Sequence, residues 1–291
     1  MGLHSKRDVM TEEDFSLLRD LVRRELGVLL KGDKRLTLHA KVSHRLGILG
    51  LDTYRDYYKF ILADPSKEEL YALASHITNN ETYFFRERGQ LDVLFNLLKE
   101  IKREKQRRNQ NCLRMLSVAS SSGEEAYTLN IIVQESGLFA WDWDFRITGI
   151  DIDRNSIGKA REACYSANSF RSLNGDAEIA KKYFTVHKDR FLLRKFYQKN
   201  VEFRHGNILD RAAFDGLSPV DVVFCRNVLI YMSDEAIAKI VRNFFDCLDD
   251  AGYLFVGSSE SLIQRTNLFL PEHVDGVIVY RKNVREKNGR T

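Results

Sequence analysis

The run Leu113-Arg114-Met115-Leu116-Ser117-Val118 passes directly into Ala119-Ser120-Ser121-Ser122-Gly123-Glu124-Glu125. A short apolar segment that gives way to small residues and then to acids reads as a buried strand turning into a helix. The pattern recurs: apolar runs at residues 145–150, 201–203, 220–225 and 253–256 alternate with helical segments. Strand-helix alternation predicts an α/β domain, a mostly parallel sheet with helices on both faces. One insert, residues 172–200, interrupts it. A short helix near residues 179–183 precedes the runs Tyr183-Phe184-Thr185-Val186 and Phe191-Leu192-Leu193, which predict a small antiparallel hairpin.

Upstream the periodicity is helical. Thr11 and Asp14 form a start signal, after which Phe15, Leu18, Leu21, Val22 and Leu26 share a face. A second helix over 34–49 turns Leu38, Val42, Leu46 and Leu49 inward. A third carries Tyr54, Tyr57, Tyr58, Ile61 and Leu62 and stops at Asp64-Pro65. A fourth opens with a capping box, Ser66 and Glu69, buries Leu70, Leu73, Ala74 and Ile77, and ends at Asn79-Asn80. Residues 89–111 read as a long helix with a basic end, bridging two domains. The predicted division is a helical domain over 1–88, the bridge, and a sheet domain over 112–291 whose polar tail frays after Arg281.

Length and composition narrow the function classes. A 291-residue chain accommodates two domains. Apolar runs are too short to span a bilayer, and no secretion signal opens the chain. Cys112, Cys164, Cys225 and Cys247 are scattered without a Cys-x-x-Cys pair, which argues against a metal site and for free thiols in a reducing cytoplasm. A net charge of +4 permits an acidic partner without demanding nucleic acid.

In an open α/β sheet, ligands bind at the carboxyl ends of the strands. The turn 119–123 lacks Gly-x-Gly-x-x-Gly, and two carboxylates at a helix start repel a pyrophosphate; they favour a ligand carrying positive charge. The competing reading is that they complement the helix dipole. Asp151, ending the second strand in Gly149-Ile150-Asp151-Ile152-Asp153, is placed to accept from two ribose hydroxyls, with a helix cap as the alternative. Asn207, in His205-Gly206-Asn207-Ile208, suits either an adenine edge or a turn. Arg226 and Asn227 abruptly end an apolar strand, and Gly257-Ser258-Ser259-Glu260 ends the next. A ribose-type acid, acids at a small-residue turn and a polar fourth strand suit an adenosyl ligand with a cationic part, such as S-adenosylmethionine. No Asp/Asn-Pro-Pro-Tyr motif is present, which disfavours amino methylation of nucleic acid. The segment Asn80-Glu81-Thr82-Tyr83-Phe84-Phe85-Arg86 sets an amide, a hydroxyl and a guanidinium around aromatics; it reads as a binding loop or as plain packing.

Taken together, Asn80 to Arg86, Ser122-Gly123-Glu124-Glu125, Asp151-Ile152-Asp153, Cys225-Arg226-Asn227-Val228-Leu229-Ile230-Tyr231 and Gly257-Ser258-Ser259-Glu260 resemble, in order and spacing, the CheR-type chemoreceptor methyltransferases over nearly the whole chain. The resemblance implies a Rossmann-like S-adenosylmethionine-dependent methyltransferase domain with a small antiparallel β insert, behind an all-helical receptor-docking domain. It implies transfer of a methyl group to glutamate side chains in the cytoplasmic methylation region of methyl-accepting chemoreceptors, leaving S-adenosylhomocysteine. Carried over by position, Asn80, Thr82, Arg86, Glu125, Asp151, Asn207, Ile208, Arg226 and Asn227 contact the cofactor, and Arg86 and Tyr231 serve catalysis. The protein is expected to be a cytoplasmic monomer without metal, nucleic acid or membrane insertion.

Three departures stand out. Ala126 replaces the family's usual Pro, Ser120-Ser121-Ser122 is more polar than usual, and the hairpin is short, with Lys188-Asp189 at its tip. Relatives that bind a receptor's C-terminal pentapeptide tether carry a longer, Gly-containing hairpin, so weak or no tether binding is expected. On the second helix, Lys34, Lys41 and Arg45 share a face, flanked by Arg35 and His44. This face is expected to dock an acidic receptor helix, against the alternative of a solvated charged surface.

Overall fold

The computed structural model describes residues 9–30, 34–77, 80–173 and 177–285. The chain forms two compact units: residues up to 79 together with Tyr231–Ala236, and Asn80–Ile230 with Ile237 onward.

In the helical unit, α1 (Glu12–Leu26) starts at the expected signal. Thr11 caps Asp14 N and the Asp14 side chain returns the bond, a closed capping box. Its buried residues are the five expected from spacing. α2 (Arg35–Leu49) buries Leu38, Val42 and Leu46, while Leu49 is half-buried. α3 (Tyr54–Ala63) and α4 (Glu68–Ile77) complete the helices of this unit up to residue 77; the expected end of α4 at Asn79 lies outside the described residues.

The capping box expected at Ser66 and Glu69 does not form. Asp64 caps instead, accepting from Ser66 N at 2.9 Å and Glu69 N at 3.3 Å. The Glu69 carboxylate is buried, and a buried charge requires a partner. It takes Arg45 Nε at 2.9 Å and the Tyr57 hydroxyl at 2.6 Å. Burial and the Glu69 bond push the Tyr57 phenol far above its ordinary range.

The sheet unit holds a seven-stranded sheet in the order β6-β2-β1-β7-β8-β10-β9. Five strands are parallel: β1 (Cys112–Val118), β2 (Asp144–Asp151), β6 (Val201–His205), β7 (Val220–Cys225) and β8 (Leu248–Val256). The sheet is mixed because β9 (Phe269–Val274) and β10 (Val277–Lys282), unforeseen from sequence, add an antiparallel edge. Their signal was present: Asp275 (φ 47°) and Gly276 (φ 80°) form the two-residue turn that Asp-Gly favours between β-branched residues. The insert forms its predicted hairpin, β4 (Phe184–His187) against β5 (Arg190–Leu193), and recruits β3 (Cys164–Tyr165) as a third strand.

The expected bridging helix is α5 (Arg88–Arg107), and it belongs to the sheet unit. Leu91, Leu94, Leu97, Leu98 and Ile101 share one core with Met115, Phe224 and Phe255; an apolar stripe of that width must be covered. Much of its basic end is committed within the unit. Lys105 is buried against Asp221 at 2.7 Å, Arg107 and Arg108 meet Glu104, and Lys102 lies over the Trp143 ring. α6 (Glu124–Glu135) follows β1 and α7 (Arg154–Glu162) follows β2. Gly123, at φ 91°, makes the turn between β1 and α6; a Cβ there would meet Ala160 Cβ and the Phe203 ring at 2.8 Å.

Among the described residues no helix is long and apolar enough to cross a membrane, and no group of three or more His, Cys, Asp or Glu could hold a metal ion.

Arg45→Met strands Glu69 as a buried, unpaired charge and is expected to lower unfolding stability by about 3–5 kcal/mol. Urea denaturation of the single variant and of Arg45→Met/Glu69→Leu checks this. The double variant should recover most of the loss, since breaking a buried pair costs more than replacing it.

Candidate functional site

The sheet unit gathers the candidate residues at the carboxyl ends of its parallel strands. At the end of β1, the turn to α6 puts Ala119 (φ 56°) and Ser121 (φ 49°) in left-handed backbone. Ser121 N donates to Asp151 Oδ2 at 2.7 Å, and Asp153 N donates to Asp151 Oδ1 at 2.8 Å. Asp151, at the end of β2, is buried, and burial, opposed by these amide bonds and aided by neighbouring Asp153, raises its pKa to about 6.

The capping function at β2 falls to Asp153 instead, which accepts from Asn155 N at 3.0 Å and Ser156 Oγ at 2.7 Å. Asn80 Nδ2 donates to the same Asp153 carboxylate at 3.0 Å, and the Asn80 carbonyl accepts from Ser121 Oγ at 2.9 Å. The loop that opens the sheet unit is thereby fastened across the first two strand ends. Thr82 is half-buried on that loop.

The aromatic part of the loop is core. Phe84 is fully buried, stacks on Phe170 at 5.3 Å and meets Tyr165 and Phe184 edge-on. Packing and binding are therefore divided between residues of one loop: Phe84 packs, while its polar neighbours face other groups. Arg86 Nη1 donates to the Glu81 carbonyl at 3.1 Å with its guanidinium 5.4 Å from the Tyr83 ring centre. Arg171 lies 4.2 Å from that ring centre and pairs with Glu81 at 2.6 Å.

At the end of β7, Arg226 is buried and pairs with Glu125 at 2.7 Å. Ser117 Oγ donates to the other Glu125 oxygen at 2.8 Å. Asn227 adopts φ 59°. Its side-chain nitrogen donates to Glu87 Oε1 at 3.2 Å and its backbone nitrogen to Glu260 Oε2 at 2.8 Å. Asn207 is buried, with its side-chain oxygen accepting from Leu209 N at 3.0 Å, so the turn reading holds for that oxygen. Ile208 is buried, and its carbonyl accepts from Asn243. Tyr231 closes a short 3₁₀ turn, falls with the helical unit and is 40% exposed, its carbonyl accepting from Leu29 N at 2.7 Å.

Sequence reasoning passed over Glu87, Gln90 and Glu260. Gln90 donates to the Val256 carbonyl at 2.7 Å, and Glu87 accepts from Ser258 N at 3.0 Å. Glu87 and Glu260 lie beside or within a quoted motif, yet nothing in residue type marks an acid as an acceptor for distant amides. The docking candidates differ in their commitments. Arg45 is built into the Glu69 pair, Arg35 meets Glu12 at 3.4 Å, and Lys41 Nζ donates to the His76 carbonyl, while Lys34 and His44 are exposed.

Of the five buried side-chain atoms without a hydrogen-bond partner among the described residues, two lie at the strand ends, Ser120 Oγ and Asn227 Oδ1. They stand after β1 and β7, where a buried polar atom without a partner costs free energy unless a ligand supplies one. A ligand with hydroxyl and ammonium donors fits both, and fits the acids Asp151 and Glu125.

Residues 80–277 match the family described as CheR methyltransferase, SAM binding domain, and residues 13–78 match CheR methyltransferase, all-alpha domain. The chain is 32% identical to chemotaxis protein methyltransferase 2 of Vibrio cholerae over 263 residues, covering 90% of each chain. It is 29% identical to the chemotaxis protein methyltransferase of Borreliella burgdorferi, covering 89% of this chain and 92% of that one. The protein of that name from Salmonella typhimurium is 28% identical, covering 95% and 92%.

Hydroxyl donors favour an ionised Asp151. In the free protein the raised pKa penalises the folded state above about pH 6, and protonation between about 6 and the ordinary 3.8 relieves that penalty. Ligand binding has the opposite sign. Affinity for S-adenosylhomocysteine should be level at pH 7–8 and weaken as pH falls through about 6, approaching tenfold per unit. Calorimetric titration across pH 5–8 reads this, and Asp151→Asn should abolish the dependence while lowering affinity at pH 7.5.

Proposed function

The chain belongs to the CheR methyltransferase family and is an S-adenosylmethionine-dependent methyltransferase; from that premise we propose that it methylates glutamate side chains of bacterial chemoreceptors. The observation that carries the cofactor half of this reading is the conjunction, in one unit, of buried Asp151 and half-buried Glu125 at two strand ends with partnerless Ser120 Oγ and Asn227 Oδ1. Asp151 would hold the ribose, Glu125 with Arg226 the charged amino-acid end, and Asn207 with Ile208 the base; Asn80 and Thr82 would line the cofactor from the opening loop.

When bound, S-adenosylmethionine supplies an activated methyl on a sulfonium. A glutamate carboxylate is already ionised at neutral pH, so the protein supplies no general base. Its task is alignment, an effect worth up to about 7–11 kcal/mol, together with exclusion of water from a reaction that neutralises charge. This limits Arg86. A tight pair with the acceptor carboxylate would stabilise the ground state more than a transition state in which that charge fades. The hydrogen bond of Arg86 to the Glu81 carbonyl and its seat over Tyr83 support an orienting role instead.

Docking of the acceptor narrows to Lys34, just before α2, and Arg35, Lys41 and His44 on it, because Arg45 is an internal partner of Glu69. The short β4–β5 hairpin, with Lys188-Asp189 between its strands, supports weak or no binding of a C-terminal pentapeptide tether; a fluorescent tether peptide bound at micromolar affinity would overturn this.

The decisive assay incubates the protein with methyl-labelled S-adenosylmethionine and chemoreceptor membranes. Label released as methanol by base marks a glutamate ester; base-stable label, or none, defeats the reading. Arg86→Ala should lose most turnover and Tyr231→Phe less. Lys34→Glu/Lys41→Glu should raise the KM for receptor and leave cofactor affinity unchanged; loss of both would point to misfolding.

A further inference from the structure

The ends of β7 and β8 carry two polar turns, 226–230 and 257–260, which are held together by two carboxylates. Glu260 accepts three backbone N–H groups: Gly257 N at 2.7 Å and Asn227 N at 2.8 Å on one oxygen, Ile230 N at 3.2 Å on the other. Glu87, the residue before α5, accepts from Asn227 Nδ2 at 3.2 Å and Ser258 N at 3.0 Å, and stands 3.9 Å from the Arg226 guanidinium. Asn227 is thus gripped at both backbone and side chain, in the left-handed conformation that asparagine tolerates better than other non-glycine residues. Its amide is oriented by Glu87 so that nitrogen is consumed and oxygen is left buried without a partner. Carboxylates accepting several backbone amides form the stronger class of hydrogen bond, and replacing either by an amide introduces a donor facing donors.

We propose that Glu87 and Glu260 form a two-carboxylate clamp that positions Asn227 and Arg226 for the cofactor, neither acid touching the cofactor itself. The clamp rests on the cofactor assignment of Asn227 and Arg226 and requires nothing of the methyl acceptor. Gly257 is part of it: a Cβ there would fall 2.8 Å from both Asn227 Nδ2 and Glu260 Oε2 and 2.9 Å from Asn227 N. Space, rather than backbone conformation, therefore demands glycine at this position.

The test is calorimetric titration of S-adenosylhomocysteine into wild type, Glu87→Gln, Glu260→Gln, the double variant and Gly257→Ala. Stoichiometry reports the folded fraction and the dissociation constant reports the site. Each single variant should weaken affinity at least fivefold at a stoichiometry near one. The double variant should lose less than the product of the two single losses, since both acids hold one turn. Gly257→Ala, which leaves every charge in place, should reproduce the loss. Affinity within fivefold of wild type in the folded fraction, whatever the stoichiometry, assigns these acids a purely structural role and overturns the clamp. Multiplying losses would show that the acids act independently and overturn it as well. Because no acceptor is present, a wild-type protein that esterifies no chemoreceptor would defeat the proposed substrate and leave this measurement intact.

Discussion

The guanidinium of Arg226 is buried at the carboxyl end of a central strand, and the site is arranged around satisfying it. Removing such a charge from water costs several kcal/mol unless partners are supplied at good geometry. They come from separate stretches of chain: Glu125 at the start of α6, the Arg86 carbonyl at 2.9 Å, and Gln90 in α5 at 3.5 Å. Glu125 in turn takes Ser117 from β1. One buried cation thus fixes where the opening loop ends, where α5 begins and how α6 leaves the sheet.

This arrangement also explains why acids crowd a site that offers few free cations. Asp151 is held by backbone amides, Glu124 by the hydroxyls of Ser122 and Ser169 with burial raising its pKa, and Glu260 by three amides. Fixed dipoles hold the charges without neutralising the cleft, which suits a cofactor carrying an ammonium and a sulfonium. The same economy appears in the helical unit, where Glu69 gathers Arg45 and Tyr57 between three helices.

Much of this was legible in residue order. The periodicity of α1, the strand runs and the hairpin of the insert each follow from local pattern, because burial on one face leaves a repeat of fixed spacing. The antiparallel edge was legible too, in Asp275-Gly276, but a polar neighbourhood disguised it. The basic stretch at residues 102–108 misled in the opposite direction. It reads as the end of a bridge between domains, whereas Lys105, Arg107 and Arg108 are matched by Glu104, Asp221 and Asp249, acids up to 141 positions away.

What sequence by itself determined, then, is the helical domain and the parallel sheet, the acids Glu125 and Asp151, the small-residue turns and the polar strand ends, since these depend on spacing and residue type. Tertiary structure alone decided which polar group serves which partner. It separated Phe84, which packs, from Asn80 and Arg86 on the same loop, turned Arg45 inward to Glu69, and revealed Glu87 and Glu260 as holders of Asn227. The physical reason is that a buried charge or amide is satisfied by whatever the fold brings within about 3 Å, and no local pattern encodes that distance.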